Sequence, residues 1–487
     1  MVFFALWGLV VGLEVMYLAL FALTAAARLA RPLEELTYGE SWLLDGARQI
    51  ARGDGLYASP DHVPLMQIAY TPVYYALIGL LIRVFGDSAY TLGRAVSLAA
   101  TLVGAAALAW STRRITSSWP FGLLAAGLLL TQNVTVLLWG SLERVDALAL
   151  ALTLVGLALF TDERRLAAAL MFVLAFFTKQ TYVVAPIACG ISLWPCRREL
   201  VRFVPLVLGG VGVGVAVAVW RTDGWFWWHI VTSNANQPDL DTFAILIGSF
   251  LQFNGLPVLA ALASLLLPCG LRERVWRLYF VGSLLELLTV AKLGASSNYW
   301  LEASAATAAL LALGAHRLSR EHVTRLVGPV VLAGALLIAV PAYQATATEL
   351  SGIALEVLRP ATPRYLSLVA DVGSDPYRVD ARLVEEIARE PGALLTDNSG
   401  LAVAAGKRIE YEFQIFQLLR VEGLWSETPI LDAIAQRRFS LVALMHPLDG
   451  PVETTRWSPA IQSAVQSNYD FVGAEYGFWL YRPRTRE

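Results

Sequence analysis

Thr37-Tyr38-Gly39-Glu40-Ser41-Trp42-Leu43-Leu44-Asp45-Gly46-Ala47-Arg48-Gln49-Ile50-Ala51-Arg52-Gly53 follows the first hydrophobic segment directly and mixes charges with apolar residues. Trp42, Leu43, Ala47, Ile50 and Ala51 recur at helical spacing, so the stretch reads as an amphipathic helix lying on a membrane surface. Gly53 and Gly55 end it. Glu40 falls in its first turn. A carboxylate exposed there, beside the membrane, suits a general base or a metal ligand. Thr37-x-x-Glu40 is also the spacing of a capping box, in which the same carboxylate only satisfies backbone donors. The stretch by itself supports both readings.

The rest of the chain is written for lipid. Of 487 residues 56% are hydrophobic and only 16% charged, with a mean hydropathy of +0.56. Soluble domains carry about a quarter charged residues, so this is a polytopic membrane protein. A net charge of -2 argues against a nucleic-acid partner. Cys189, Cys196 and Cys269 lie in or beside apolar segments and form no CxxC pair, which indicates neither a disulfide framework nor a zinc site. The first apolar run has the length of a spanning helix and no basic leading region, so it reads as an anchor and not a cleaved signal. Among 37 basic residues only Lys179, Lys292 and Lys407 are lysines. In a chain that otherwise writes arginine, the first two sit at membrane positions. Chance retention is the plain alternative.

Residues 4–24 form the first span, with Glu14 near its middle; an acid at that depth favours a structural contact to another segment. Basic clusters at Arg113-Arg114, Arg164-Arg165, Arg197-Arg198, Arg272-Arg274 and Arg317-Arg320-Arg325 are each two hydrophobic runs apart, so all fit the cytoplasmic side. Only one crossing then precedes Arg113, and 94–112 supplies it. Residues 67–85, with Pro72 opening their helix, lie in or along the outer leaflet. The first external loop therefore runs from about 28 to 93 and holds two surface helices. Further spans follow at 119–138, 145–161, 165–178, 181–195, 203–221, 243–268, 275–292, 299–316 and 326–342, the 243–268 run being broken near Gln252-Phe253-Asn254-Gly255. This gives about eleven crossings and an external C-terminus. Trp225-Phe226-Trp227-Trp228 reads as an interfacial anchor. A transmembrane catalytic region, 1–342, thus precedes a small external α/β domain, 343–487. The latter has a helix over Asp380–Glu390 and strands at Ala393–Thr396, Ser440–Met445, Phe471–Ala474 and Phe478–Tyr481, the last two turned by Tyr476-Gly477. It holds no nucleophile elbow, P-loop or metal spacing.

The polar groups gather on one side. Cytoplasmic loops are short and basic. The external side collects Glu40, Glu143 and Asp146, the cations Arg144, Lys179 and Lys292, and Asn298, Tyr299 and Glu302. A channel or pump spreads such groups through the bilayer depth. Groups at one interface suit an enzyme acting on a lipid with its polar head at the outer surface. Glycosyl transfer from a polyprenyl-phosphate sugar fits. Cations hold the phosphate and offset charge on the departing group. One carboxylate takes the acceptor's proton. A greasy groove holds the prenyl chain and aromatics meet sugar faces. Glu40 is the candidate base. Asp146 is a second acid that orients the acceptor or shares a metal. Lys179, Lys292 and Arg144 are the phosphate candidates; Arg94 and His229 are weaker. Each has a plainer reading: Asp146 with Arg144 as a helix-end ion pair, Lys179 snorkelling to the interface, Asn298 and Tyr299 as cap and anchor.

The pattern resembles the GT-C superfamily of integral-membrane glycosyltransferases, in the branch with protein O-mannosyltransferases, the lipid A aminoarabinose transferase and RgtA/B/C/D-type enzymes. Tyr38-Gly39-Glu40 and Gly46-Ala47-Arg48-Gln49-Ile50-Ala51-Arg52-Gly53-Asp54-Gly55-Leu56-Tyr57 carry the resemblance. Tyr70-Thr71-Pro72-Val73-Tyr74-Tyr75, Phe85-Gly86-Asp87 and Gly93-Arg94-Ala95-Val96-Ser97 continue it, and Arg144-Val145-Asp146-Ala147-Leu148-Ala149 and Lys179-Gln180-Thr181 complete it. The match covers about residues 1–200 and thins afterwards. It implies an essential acid in the first external loop, matched by Glu40 although many relatives have Asp, and a second acid after the third crossing, matched by Asp146. It implies inversion at the anomeric carbon of a lipid-linked sugar. Tyr70, Tyr74 and Gln180 join the substrate-binding candidates. Some members bind a divalent cation, magnesium or manganese, between the two acids, and others work without one.

These expectations describe an inverting transferase in the plasma (inner) membrane. Its site and C-terminal domain are extracytoplasmic, its donor is a polyprenyl-phosphate sugar, and its acceptor is a glycan, lipid or protein. The rival readings are a flippase or transporter of lipid-linked sugars, for which only Glu14, Glu286 and the Gln252–Asn254 region lie at mid-membrane, and a non-catalytic membrane assembly subunit.

Overall fold

A hydrocarbon solvent leaves the backbone no partner but itself, so the apolar runs fold as helices. The computed structural model describes residues 1–131, 134–235, 237–292, 294–320, 325–338, 380–448 and 456–485. The expected boundary near residue 343 lies outside them. The chain divides into two compact units, one of Met1–Ala30, Arg94–Ala216 and Asn236–Gly373, the other of Arg31–Gly93, Val217–Ala235 and Ser374–Glu487. Most of the expected first external loop thus groups with the C-terminal region.

The helices of the first unit are α1 (Val2–Leu29), α4 (Tyr90–Thr116), α5 (Trp119–Thr131), α6 (Val134–Trp139), α7 (Val145–Thr161), α8 (Arg165–Thr178), α9 (Val184–Ser192), α10 (Arg197–Arg221), α12 (Leu240–Ser264), α13 (Leu271–Glu286), α14 (Leu301–Leu318) and α15 (Val327–Ile338). Of these, α1, α4, α10 and α12 are each long and apolar enough, by length and composition, to cross a membrane. The chain is a multi-pass membrane protein. Alanine-rich α14 is buried along nearly its whole length and packs against α5, α12, α13 and α15; small side chains let the neighbouring backbones approach. Glu14 makes the structural contact expected of it: its Oε2 accepts a hydrogen bond from Thr131 Oγ1 at 2.6 Å. A Cβ on Gly127 would lie 2.8 Å from that oxygen, so the glycine makes the room.

One expectation needs correction. Helix α12 is continuous through Gln252–Gly255. One glycine costs a helix only about 1 kcal/mol, and packing against α14 and α15 outweighs it. Within the expected 119–138 span the described residues are helical over Trp119–Thr131 and Val134–Trp139.

In the second unit the surface helix is α2 (Glu40–Arg52), followed by α3 (Val73–Phe85) and, after α10, the short α11 (Trp225–Ile230). With 13 residues α3 reaches about 20 Å, short of the roughly 30 Å hydrocarbon core. Gly46 and Gly79 let α2 and α3 meet: a Cβ on Gly79 would stand 2.8 Å from the Ala47 carbonyl oxygen, and one on Gly46 2.7 Å from the Tyr75 ring.

The C-terminal region is an α/β layer. Strands β1 (Ala393–Thr396), β2 (Phe439–Leu444), β3 (Tyr469–Glu475) and β4 (Phe478–Pro483) lie in the order β1-β2-β4-β3. β1 and β2 are parallel; β4 is antiparallel to both neighbours. Tyr476 and Gly477 turn the last hairpin with φ of 52° and 83°, the paired positive values that a tight hairpin demands. Alternation sends Leu394, Leu441 and Ala443 to one face, under α16 (Ala381–Arg389) and α17 (Ser399–Ala404). Leu395, Val442 and Leu444 face the other way, under α18 (Phe413–Val421), α19 (Thr428–Ala435) and α20 (Pro459–Asn468). Val63 and Leu65, from the segment between α2 and α3, join this second core.

Candidate active site

The first unit holds a polar knot at the ends of three helices. Asp146 lies in the first turn of α7, Lys179 caps the end of α8, and Asn298 sits in a 3₁₀ turn before α14. All three are buried. Lys179 Nζ donates to Asp146 Oδ1 at 2.6 Å, and Asn298 Nδ2 donates to the same oxygen at 2.9 Å. Arg144 Nε stands 3.7 Å from Oδ2. The Lys179 ammonium lies 4.9 Å from the centre of the Tyr299 ring and 5.7 Å from that of Tyr182. Tyr182 also donates its hydroxyl to the Asp146 carbonyl at 3.4 Å.

The turn before α7 is fixed from several sides. Arg28 of α1 donates to the Leu137 and Leu138 carbonyls at 3.0 and 2.8 Å, satisfying acceptors that the end of α6 leaves open. Thr101 donates to the Gly140 carbonyl at 2.7 Å and Ser97 to that of Arg144 at 3.3 Å. Trp139 Nε1 donates to Ser297 Oγ at 3.0 Å, tying this turn to the one that carries Asn298. The Arg144 guanidinium lies 5.2 Å from the Trp139 ring centre. Arg94, a weaker candidate, is wholly buried and donates to the Arg28 carbonyl at 3.0 Å, a scaffold contact.

Lys179 therefore does not snorkel. Asp146 has Lys179 as its nearer cation, ahead of Arg144. Lys292 follows α13, pairs its backbone with Pro238, and is near enough to Lys179 for the two ammonium groups to repel. Gln180 is half-buried in the turn after Lys179. Glu302, in the first turn of α14, is buried beside Glu286 and Tyr279. An apolar hollow of about 940 Å³ lies along α8, α9 and α10, lined by Phe172, Phe176, Pro186, Trp194 and Phe203 among others. Tyr182 lines it too, and so belongs to both hollow and polar knot. Sequence reasoning passed over Tyr182, although an aromatic three residues after a membrane lysine was a usable signal.

In the second unit Glu40 opens α2 and is fully buried, not exposed. The capping box is not made: the helix is capped by Gly39, with φ 98°, and Glu40 Oε2 accepts from the Leu36 amide at 2.7 Å, one residue beyond Thr37. Glu35, unremarked in the sequence, does the capping. Its Oε1 accepts from the amides of Gly39 and Ser41 at 3.0 and 3.1 Å and from Ser41 Oγ at 2.8 Å. Burial, with the nearby Glu40 charge as a smaller contribution, pushes its carboxyl up to about 7. The Glu34-Glu35 pair just ahead of an amphipathic helix was its only sequence signal.

Two other candidates turn out to be scaffold. Tyr74, in the first turn of α3, is fully buried, its hydroxyl directed at the Gly93 carbonyl, 3.4 Å away. His229 is buried with both ring nitrogens engaged: Nδ1 accepts from the Ile68 amide at 3.1 Å and Nε2 lies 2.8 Å from the Ala58 carbonyl. Both make contacts that fold the loop. Tyr70 is half-buried, and its carbonyl accepts from the Tyr57 hydroxyl at 3.0 Å.

A divalent cation fits poorly at Asp146. Lys179 and Arg144 already bring positive charge to its two oxygens, and a metal ion there would meet both. Among the described residues no group of three or more His, Cys, Asp or Glu side chains is placed to hold one.

No protein-family model matches the chain, and no curated protein sequence does. Solved structures do. ArnT from Cupriavidus metallidurans bound to undecaprenyl phosphate superposes with a TM-score of 0.61 at 14% identity, over 97% of this chain and 98% of that one. The chain shares the ArnT fold. ArnT in the apo state gives the same TM-score at 15% identity, over 98% of each chain. The archaeal oligosaccharyltransferase AglB from Archaeoglobus fulgidus, in complex with an inhibitory peptide and a dolichol-phosphate, gives 0.50 at 12% identity, over 88% of this chain and 69% of its own. At such identities the likeness establishes the fold alone.

Proposed function

We propose that the chain is an inverting glycosyltransferase of the plasma membrane that moves a sugar from a polyprenyl phosphate to an extracytoplasmic glycan, lipid or protein. The observation that carries the reading is the shared wall at Tyr182: an apolar hollow sized for part of a prenyl chain abuts a buried cluster of cations. ArnT, of the same fold, was solved with undecaprenyl phosphate.

In this reading the prenyl chain lies along α8, α9 and α10 and the phosphate meets Lys179, with Arg144, Lys292, Asn298 and Tyr299 around it. The acceptor hydroxyl attacks the anomeric carbon from the face opposite the phosphate. Its proton passes to Glu40 as the general base. The bond from the anomeric carbon to the phosphate oxygen breaks, and the polyprenyl phosphate leaves carrying the added negative charge. Lys179 and Arg144 stabilise that charge as it develops. Asp146 holds Lys179 in place until the phosphate competes for it. Gln180, Glu302 and Tyr70 are the groups left to contact the sugar.

The test uses the purified full chain in nanodiscs with a panel of tritiated undecaprenyl-phosphate and dolichyl-phosphate sugars and a membrane and envelope extract as acceptor. The expected result is label moved into the acceptor fraction with release of free polyprenyl phosphate, abolished in Glu40→Gln and Lys179→Met. Full transfer by Glu40→Gln would remove the base. Movement of intact labelled donor across a proteoliposome bilayer with no new glycosidic bond would replace the transferase by a flippase.

A further inference from the structure

We propose that Glu412 and Tyr38 are a positioning pair through which the C-terminal domain sets the orientation of Glu40; this rests on reading Glu40 as the base. Glu412 is fully buried at the start of α18. Its Oε1 accepts from the Tyr38 hydroxyl at 2.9 Å, across 374 residues of sequence. Tyr38 precedes Gly39 and Glu40 directly, so whatever holds the tyrosine holds the hinge on which Glu40 turns. Gly39, at φ 98°, sits where only glycine rests easily and supplies no stiffness of its own.

The grip on this hinge comes from several sides. The Tyr38 ring stands edge-on to Trp42 with centroids 4.2 Å apart. Trp42 Nε1 donates to Ser399 Oγ at 3.3 Å, a second tie to the C-terminal domain. The backbones are joined as well: the Leu65 amide donates to the Glu410 carbonyl at 2.8 Å, and the Glu412 amide donates back to the Leu65 carbonyl at 2.9 Å. Arg48, further along α2, donates to the Val403 carbonyl at 2.9 Å. Opposite Tyr38, Glu35 holds the Gly39 amide.

The plain alternative is that Glu412 only caps α18, since its carboxylate also accepts from the Ile415 amide at 3.3 and 3.2 Å. Capping asks for a short side chain, and Ser, Thr, Asp and Asn do it best. A glutamate there carries an extra methylene and, through burial, a carboxyl pushed up to about 7. The longer arm is what reaches Tyr38. A cap alone gives no reason for that length or for a carboxyl so costly to ionise.

Three variants of the full chain in nanodiscs separate the roles. Tyr38→Phe keeps the ring, the Trp42 contact and the α18 cap and removes one hydroxyl. Glu412→Ser keeps a cap and cannot reach Tyr38. Glu412→Gln keeps an acceptor at the right length. Hydrogen exchange over residues 36–43 is expected to rise in Tyr38→Phe and Glu412→Ser and to stay at the wild-type level in Glu412→Gln. On the polyprenyl-phosphate sugar that the wild type uses, kcat is expected to fall about tenfold or more in the first two variants with KM little changed, and to be held by Glu412→Gln. Wild-type exchange in both Tyr38→Phe and Glu412→Ser would overturn the pair whatever the activity. Raised exchange with unchanged kcat, in a protein that Glu40→Gln inactivates, would overturn its link to Glu40. Full activity of Glu40→Gln would instead sink the base assignment, leaving the exchange result to judge the pair.

Discussion

Lys179 and Asp146 are both buried, and each is tolerable there only because of the other. Removing one partner strands the other's charge, at a cost of about 3–5 kcal/mol. Lys179→Met and Asp146→Asn are therefore each expected to lower the Tm of the purified protein, and the double variant to recover part of the loss while staying inactive. A double variant no more stable than the worse single one would show that the pair is not what the charges are for. His229 offers a pH-dependent case. Burial holds its imidazole down to about 4 from the usual 6.5. The folded state thus binds the proton less readily than the unfolded one. The stability this contributes is complete above pH 6.5 and drains away as pH falls through 4, by about 3 kcal/mol in all. Glu412, pushed up to about 7 from 4.5, runs the other way: its contribution is full below pH 4.5 and lost as pH rises through 7. A melting curve of the wild type mixes the two. The gap in Tm between wild type and His229→Gln is therefore the quantity to follow; it is expected to narrow from pH 7 to pH 4, and a constant gap would mean that His229 does not titrate in this window.

Helices α2 and α3 meet at glycines, and that contact sets where the helix bearing Glu40 lies. Alanine at Gly79 would gain about 1 kcal/mol of helix propensity. Its methyl would also stand 2.8 Å from the Ala47 carbonyl oxygen, a backbone atom that cannot step aside. Overpacking of that kind costs about 1–3 kcal/mol, so the loss wins. Gly79→Ala is expected to melt earlier, whereas Gly8→Ala in α1, with nothing within 4 Å of the new methyl, should melt no lower than wild type. Equal melting of the two variants would show that α2 and α3 are free to separate. Elements of this kind were legible where one repeat governed them. The apolar stripe gave α2, alternation gave β1 and β2, and two turn residues gave the last hairpin. The continuous course of α12 was not legible, because burial of Asn254 by neighbouring helices is not written in its own segment. Within the site, helix ends brought Asp146, Lys179 and Asn298 to one level, which the sequence shows. Which cation takes Asp146, and that Tyr74 and His229 are spent on packing, depend on partners far along the chain.

At the scale of the whole chain the open quantity is orientation, which the fold alone does not report. From the arginine clusters the loops before α10 and α13 are expected on the cytoplasmic side. Each of those loops carries its own probe. Cys196 precedes Arg197 at the start of α10, and Cys269 precedes Arg272 and Arg274 at the start of α13. Both cysteines are exposed, while Cys189 is buried within α9 and is the least accessible. A membrane-impermeant maleimide applied to intact cells is therefore expected to leave the protein unlabelled, and permeabilised cells should take label at Cys196 and Cys269 but not at Cys189, as read by peptide mass spectrometry. Cys196→Ser and Cys269→Ser assign each signal. Labelling of both thiols in intact cells would invert the chain, carry Lys179, Asp146 and Asn298 to the cytoplasmic face, and exclude an acceptor on the outer side. Labelling of one thiol alone would mean that the number of crossings between residues 197 and 268 is odd, and the count of about eleven would need revision.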